Sequence, residues 1–286
     1  MRGGLDRDFA PPARRRTVRT WTMGHILATS FACGFNWGCG NADPAAGDRI
    51  EADFATHTYD RRIFRAEGAP RGPAFGRWDL TGEGLRAVRP RGELDRPPLR
   101  FAGMFGLEGD FEVTAQFSIG KLPRPKTKVA SNRVAILLQG PDRAASLFRA
   151  ADSGRDGYSY EIHDAQIVSE SEKPFVPTRA NTGRLRAQRR GTAMTFWRGE
   201  GGGPFEQIGS SEFGSGPVTE VAFLADAQNS GDDFDVRFDR IEILADRIKR
   251  HGPSSGEETL SWASIMGLFA AGTIAILIIR RWRNSR

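Results

Sequence analysis

The sequence has almost no cysteine, since only Cys33 and Cys39 occur among its 286 residues. Both lie in an apolar N-terminal stretch, so the rest of the chain has no disulfide, no thiolate nucleophile and no cysteine ligand for a metal. The whole chain has four histidines, which gives a zinc site little support. We therefore expect its folded domain to depend on a hydrophobic core.

The middle of the chain lacks the positive charge that the whole sequence carries. The net charge is +6, but residues 1–42 and residues 280–286 each carry +4, which leaves −2 between them. Because a phosphate backbone is bound by clustered cations on a folded surface, these charges argue against a nucleic-acid partner. Four arginines are interpreted as the solvated side of a hairpin: Arg184, Arg186, Arg189 and Arg190.

The first 42 residues have the three-part order of an export signal. A basic run up to Arg19 precedes an apolar segment around residues 26–35, and Gly40-Asn41-Ala42 provides small residues before a cleavage site. We predict a signal peptide over residues 1–42. The alternative is an uncleaved membrane helix over residues 21–38, which would be a poor span because it contains polar residues and several glycines.

A second apolar segment, residues 260–279, contains no charged residue. A helix of this length, at about 1.5 Å per residue, crosses the hydrocarbon core of a bilayer once. Trp262 and Trp282 lie near its ends, and arginines dominate the tail over residues 280–286. By the positive-inside rule this tail stays in the cytoplasm. We therefore predict a single-pass protein of the cell membrane with one C-terminal transmembrane helix and an extracytoplasmic domain.

Residues 43–250 are expected to form that domain, and residues 251–259 a linker. Residues 111–119 alternate between apolar and polar side chains, which predicts a half-buried antiparallel strand. Less regular alternation predicts further strands about every dozen residues, at 134–138, 146–150, 158–163, 184–188, 193–197 and 218–225. Arg189-Arg190-Gly191 is interpreted as the turn of a hairpin.

The last predicted strand changes parity along its length. Phe234, Val236 and Phe238 share one face, whereas Ile241 and Ile243 have the opposite parity. Both groups can enter a core only if the strand bulges near residues 239 and 240. Residues 48–248 show no apolar stripe of helical period, so we predict an all-β fold, either an antiparallel β-sandwich or a closed sheet.

Short motifs at the predicted strands and turns resemble those of the concanavalin A-like lectin/glucanase superfamily. They are Gly109-Asp110-Phe111-Glu112-Val113, Gly157-Tyr158-Ser159-Tyr160-Glu161-Ile162, Gly183-Arg184-Leu185-Arg186 and Phe238-Asp239-Arg240-Ile241-Glu242-Ile243. Within that superfamily the chain is similar to uncharacterised domains of membrane-anchored bacterial surface proteins and to glycoside-hydrolase-like relatives. The resemblance implies a jelly roll, and it implies little about chemistry.

The paired glutamates of retaining glucanases of this fold are missing. Such enzymes hold two carboxylates about 5 Å apart, but Glu51-Ala52-Asp53 has no following glutamate, and Glu161 and Asp164 have opposite parity. Glu161 and His163 share one face and are the candidate acid/base pair or sugar contacts. The alternative is that they form a polar outer face without a ligand.

Two other groups of residues are candidates for binding. Aromatic faces that could stack on sugars are those of Trp78, Trp197 and Tyr158, although tryptophan in a sandwich also belongs to cores. Carboxylates that could hold Ca²⁺ are those of Asp232, Asp233 and Asp235, with a solvated acidic face offset by arginines as the alternative. No other cofactor or metal is expected.

These features favour a membrane-anchored extracytoplasmic β-sandwich module that binds a glycan or a surface protein and is not an enzyme. Two alternatives stay open. One is a carbohydrate-active hydrolase of concanavalin-like fold with Glu161 and His163 in its site. The other is a structural protein of the cell envelope.

Overall fold

The computed structural model describes residues 47–67, 76–92, 97–128, 130–164, 174–228 and 230–251. Within these ranges the chain forms strands and turns and no helix. The strands are β1 (Asp48–Asp53), β2 (Phe64–Glu67), β3 (Arg77–Thr81), β4 (Gly84–Arg89), β5 (Leu99–Gly103), β6 (Phe105–Lys121), β7 (Ser131–Gln139), β8 (Arg143–Asp152), β9 (Asp156–Asp164), β10 (Phe175–Pro177), β11 (Thr182–Arg190), β12 (Ala193–Glu200), β13 (Glu206–Glu212), β14 (Glu220–Gln228) and β15 (Phe234–Arg250).

The strands form two sheets, and within each sheet every pair of hydrogen-bonded strands is antiparallel. The eight-stranded sheet has the order β13-β12-β11-β6-β15-β4-β3, and β1 also pairs with β15. The seven-stranded sheet has the order β10-β9-β8-β7-β14-β5-β2. Strands distant in sequence are therefore neighbours in both sheets.

The two sheets pack on one hydrophobic core. Phe117 of β6 and Phe238 of β15 lie in the same buried cluster as Val134 of β7, Leu147 of β8 and Phe223 of β14. The predicted alternation of β6 is confirmed, because its apolar positions enter this core. The all-β antiparallel β-sandwich predicted from the sequence is thus confirmed.

The predicted hairpin and bulge are also confirmed. β11 and β12 pair across the turn, and Gly191 has a φ of 58°, in the left-handed region that glycine adopts without steric cost. The register between β15 and β6 shifts between Phe238 and Arg240. This shift lets Phe238 and Ile241 both lie in the core despite their opposite parity.

Arg189 does not lie on the solvated side of that hairpin, so this part of the prediction is wrong. Its parity is that of Leu185 and Ala187, and it is completely buried. Its Nε donates to the carbonyl oxygen of Gly109 at 2.9 Å, and its guanidinium carbon lies 4.7 Å from the ring centroid of Phe111. Backbone carbonyls replace water around this charge, as a buried donor requires.

The predicted signal peptide (1–42), nearly all of the linker (251–259), the transmembrane helix (260–279) and the basic tail (280–286) lie outside the described residues. Among the residues that the structure does describe, none forms a helix long and apolar enough to cross a bilayer.

Candidate functional site

Glu161 and His163 lie on the outer face of the seven-stranded sheet. Successive side chains of a strand point to opposite faces, so Tyr158 and Ile162 enter the core while Glu161 and His163 point outward. The Nε2 atom of His163 lies 3.0 Å from Oε2 of Glu161, which is hydrogen-bond distance. The shared face predicted for these two residues is confirmed.

Arg133 of β7 joins these residues to β14. Its Nη1 lies 4.0 Å from Oε2 of Glu161, and its Nε and Nη2 each lie 3.4 Å from Oδ2 of Asp226. Its guanidinium carbon also lies 5.3 Å from the ring centroid of Phe148 on β8. We call Arg133, Glu161, His163, Asp226 and Phe148 the Arg133 cluster.

The Arg133 cluster lies among small and apolar side chains. Pairing of β7 with β8, and of β8 with β9, places Ala150 opposite Arg133, Ala135 opposite Phe148, Ser146 opposite Glu161 and Ala144 opposite His163. Leu137 and Leu224 lie on the same face. Short side chains leave room above the strands for the long ones to lie along the sheet. Ala135, Phe148 and Ala150 form a buried apolar group there.

The Arg133 cluster combines limited exposure with charge. The side chains of Glu161 and Arg133 are 16% and 17% exposed, and Asp226 is buried. Electrostatic interactions and hydrogen bonds are stronger in such a partly dehydrated site than in bulk water. The cluster offers carboxylate acceptors and guanidinium and imidazole donors, which together can hold a hydroxylated ligand. The ring of Phe148 is buried and lies under the guanidinium of Arg133.

The sequence singled out Glu161 and His163 but missed Arg133, Phe148 and Asp226 as residues of this cluster. Arg133 lies next to the predicted strand 134–138 and has the opposite parity to its apolar residues Val134 and Ile136. This was a local signal that its side chain points outward. Which outward residues meet depends on the strand order β9-β8-β7-β14, which no local pattern contains.

The three aromatic candidates do not come together at the Arg133 cluster. Tyr158 is fully buried in the core and offers no face to a ligand. Trp78 of β3 is half-buried, with its ring centroid 5.8 Å from that of Phe101 and 6.0 Å from that of Phe238. Trp197 of β12 lies opposite Arg186 of β11 on the outer face of the eight-stranded sheet. The register between β12 and β13 shifts between Phe196 and Trp197.

Burial also affects Tyr158 chemically. Desolvation raises the pKa of Tyr158 to about 12, because a buried phenolate loses its hydration. The hydroxyl is therefore protonated throughout the physiological pH range.

The three aspartates considered for Ca²⁺ each have a basic or amide partner. Lys121 Nζ lies 2.5 Å from Oδ2 of Asp233, Arg86 Nη2 lies 2.5 Å from Oδ2 of Asp235, and Asn132 Nδ2 donates to Oδ2 of Asp232 at 3.1 Å. The hydrogen bonds from Lys121 and Arg86 hold the pKa values of Asp233 and Asp235 below the usual 3.8. In the described part of the chain, no group of three or more His, Cys, Asp or Glu residues is placed to hold a metal ion.

Three solved structures of similar fold share little sequence identity with this chain. The CBM2 module of the evolved Dit of Lactobacillus casei BL23 phage J-1 is 13% identical, with a TM-score of 0.47, over 69% of this chain and 95% of that one. A β-1,3-glucanase from Mycobacterium marinum is 14% identical, with a TM-score of 0.46, over 70% of this chain and 100% of that one. A legume lectin-like domain from Entamoeba histolytica is 11% identical, with a TM-score of 0.45, over 64% and 90%. Likeness at this level transfers neither a ligand nor an activity.

No curated protein sequence matches this chain. A family model does match: residues 41–262 fit the model described as the C domain of a protein of unknown function (DUF1583). This match covers the fifteen strands that the structure describes and well over half of the sequence. The chain therefore belongs to the DUF1583 C-domain family.

Proposed function

We propose that this protein is a membrane-anchored extracytoplasmic module that binds a glycan at the Arg133 cluster. The observation that carries the proposal is the convergence of Arg133, Glu161, His163 and Asp226 from three strands on one outer face, beside the ring of Phe148. A sandwich needs none of these polar groups for its core, which lies on the opposite face of the same strands.

The chemistry of the cluster suits sugar hydroxyls. Carboxylates accept hydrogen bonds from hydroxyl groups, and guanidinium and imidazole groups donate to hydroxyl and carbonyl oxygens. One guanidinium, that of Arg133, faces two carboxylates, those of Glu161 and Asp226. We therefore expect a neutral glycan as the ligand, because an anionic polysaccharide would be repelled.

The position of Arg133 supports binding over hydrolysis. Its guanidinium contacts both Glu161 and Asp226, so the two carboxylates are engaged by the same cation. The observation that favours a hydrolase instead is the hydrogen bond between Glu161 and His163, because a histidine next to a carboxylate can move a proton. A surface protein that docks on the same face is the remaining alternative.

Glycan binding by the full chain in mild detergent tests the proposal. We expect neutral glycans to bind on an array, and Glu161→Gln to weaken that binding by about tenfold, since hydrogen bonds to charged groups contribute about 1.5–3 kcal/mol. Glu112→Gln is the matched control, because Glu112 is held by Arg186 on the outer face of the eight-stranded sheet, with 3.1 Å between Arg186 Nε and Glu112 Oε1.

Three outcomes would speak against glycan binding at this site. If the wild-type protein bound no glycan on the array, glycans would be excluded as the ligand. If Glu161→Gln and Glu112→Gln lost glycan affinity equally, the Arg133 cluster would be excluded as the binding site. Turnover of a glycan that disappears in Glu161→Gln would establish the hydrolase instead. Crosslinking of a surface protein through this face would favour the docking alternative.

The anchoring part of the proposal rests on the sequence. The uncharged residues 260–279 and the arginines that follow them motivate a single transmembrane helix, and residues 1–42 motivate an export signal. This arrangement would place the Arg133 cluster outside the cytoplasm, where envelope and surface glycans are accessible.

A further inference from the structure

A cleft of about 560 Å³ lies where β3, β4, β6 and β15 meet. Its volume is within the range of about 300–1,000 Å³ that ligand pockets of folded proteins cover. It belongs to the eight-stranded sheet, whereas the Arg133 cluster lies on the outer face of the seven-stranded sheet. The cleft therefore has room for a small molecule, at a place that the proposed glycan site does not use.

Four residues that line the cleft form one row across the outer face of the eight-stranded sheet. Arg77 of β3 lies opposite Val88 of β4. Val88 also lies opposite Asp235 of β15, which in turn lies opposite Lys121 of β6. Neighbouring strands are spaced by about 4.8 Å, so roughly 14 Å separates the backbones of Arg77 and Lys121. A basic side chain thus lies at each end of the row, with a carboxylate between them.

Both basic side chains are accessible and keep hydrogen-bond donors that the described part of the chain does not use. The side chains of Arg77 and Lys121 are each 54% exposed. Nε of Arg77 donates to Oδ2 of Asp79 at 2.7 Å, and its two Nη atoms have no hydrogen-bond partner among the described residues. Lys121 donates to Asp233 through one of its three ammonium hydrogens. The guanidinium and the ammonium can therefore both donate to a ligand.

The cleft also offers hydrogen-bond acceptors, the carboxylates of Asp233 and Asp235. Hydrogen bonds from Lys121 and Arg86 hold the pKa values of Asp233 and Asp235 below 3.8, so both are ionised at neutral pH. An ionised carboxylate accepts about four hydrogen bonds, which is more than these two partners provide. A ligand that fits the cleft must therefore bring donors of its own, such as hydroxyl groups.

Basic residues outnumber acidic ones in the lining of the cleft. Three basic residues line it, including the buried Arg89, against two aspartates. The neighbouring Arg86 and Asp79 add one charge of each sign, so the excess remains positive. A positive excess attracts a ligand with a negatively charged group.

We propose that this cleft binds an acidic sugar, a hydroxylated ring that carries one carboxylate. The two Nη atoms of Arg77 hold the carboxylate through parallel hydrogen bonds, the geometry that a guanidinium provides. Lys121 donates to the hydroxyl oxygens, and Asp233 and Asp235 accept from the hydroxyl groups. Val88 contacts the C–H face of the ring. This site is independent of glycan binding at the Arg133 cluster.

Calorimetric titration of the full chain in mild detergent, at constant ionic strength, tests the proposal. We expect D-glucuronate to bind, and D-glucose and acetate to bind at least tenfold more weakly, because glucose lacks the carboxylate and acetate lacks the hydroxyl groups. Arg77→Gln should weaken D-glucuronate binding about tenfold, as expected for the loss of hydrogen bonds to a charged group.

Arg65→Gln is the matched control. Arg65 lies on β2, the edge strand of the seven-stranded sheet, and its Nε lies 3.6 Å from Oε1 of Glu67, two residues along the strand. Arg77 has the same relation to Asp79 on the edge strand β3. The control should bind D-glucuronate as the wild type does. Thermal unfolding should show that both variants stay folded, since both arginines are exposed at a sheet edge.

Methyl β-D-glucuronide distinguishes two sources of the acidic sugar. If it binds as tightly as D-glucuronate, the cleft accepts a uronic acid at the end of a glycan chain. If only D-glucuronate binds, the ligand is a free sugar acid. Either result supports the carboxylate site at Arg77.

Three results would overturn this site. One is the absence of D-glucuronate binding by the wild-type protein. Another is an equal affinity for D-glucuronate and for D-glucose or acetate. The third is an equal loss of D-glucuronate affinity in Arg77→Gln and Arg65→Gln. Since Glu161→Gln tests the Arg133 cluster with neutral glycans, failure of one site is distinguished from failure of the other.

Discussion

At the scale of single residues, Gly183 shows how closely the two sheets approach each other. A Cβ atom at this position of β11 would lie 2.5 Å from the hydroxyl oxygen of Tyr158 and 2.9 Å from Cζ of Phe117. Tyr158 belongs to the seven-stranded sheet, and Gly183 and Phe117 belong to the eight-stranded sheet. Both aromatic rings are fully buried, so neither has open space into which it could move.

We therefore expect Gly183→Ala to destabilise the protein by about 1–3 kcal/mol, the usual cost of overpacking a core. Combining it with Tyr158→Phe should recover part of the loss, because the nearest clashing atom is removed. Gly202→Ala is the control, since a Cβ atom at Gly202 meets no other atom within 4 Å. Chemical denaturation measures the change, and equal stability of Gly183→Ala and Gly202→Ala would refute the close approach.

At the scale of secondary structure elements, β15 organises the eight-stranded sheet. It pairs with β6 along nearly its whole length, with β4 through its first residues and with β1 farther along. Because the register shifts near Asp239, the apolar side chains of β15 on both sides of the bulge, such as Phe238 and Ile241, enter the core. Arg86 of β4 stabilises the pairing of β4 with β15, with 2.8 Å between its Nε and Oδ1 of Asp235.

The Arg86–Asp235 pair should make part of the stability depend on pH. Hydrogen bonds from Arg86 lower the pKa of Asp235 below 3.8, so the native state favours the ionised carboxylate. Its contribution is fully present above the unfolded-state pKa and is lost as the pH falls through the lower native pKa. Asp235→Asn should cost about 0.5–1 kcal/mol near neutral pH, as partly exposed ion pairs do, and little at strongly acidic pH.

Denaturation of both proteins across this acidic range checks the expectation. Asp142→Asn is the control, because Asp142 is exposed and makes no ion pair with the described residues. A loss of stability in Asp235→Asn that is the same at neutral and strongly acidic pH would show that charge is not the cause.

At the scale of the whole molecule, the distribution of charge motivates a membrane orientation. Both ends of the sequence carry +4, and the residues between them are slightly negative. Arginines near an apolar segment are retained in the cytoplasm. The family domain between the two ends would then be exported.

Protease treatment of intact cells or spheroplasts tests this orientation. An epitope inserted in the exposed turn Gly201–Gly203 should be lost, while an epitope after Arg286 should survive until the membrane is opened. Changing the four tail arginines to glutamine should give mixed orientations, because the positive-inside signal is then weakened. Protection of the turn epitope together with loss of the C-terminal one would refute the proposed topology.

Local patterns in the sequence predicted much of the sandwich. Alternation along β6 and the parity change around residue 239 were sufficient to predict which side chains of β6 and β15 enter the core. Side-chain direction in a strand follows from the local backbone. β5 was missed since all its residues are buried, so it shows no alternation, and β2 and β10 are too short to show a period. The prediction placed Arg189 on the solvated side because arginine is charged, although its parity is that of the buried residues Leu185 and Ala187.

By itself, the sequence determined eight of the strands, where β15 bulges, and that Glu161 and His163 share a face; no predicted strand corresponded to β1, β3, β4 or β13. Only the tertiary structure decided that Arg133 meets Glu161 and Asp226, and that Arg149 and Tyr158 face each other in the core. The strand order that joins β9, β8, β7 and β14 results from packing two sheets on a common core. Such packing depends on contacts between distant residues, whereas alternation depends on neighbours in the chain.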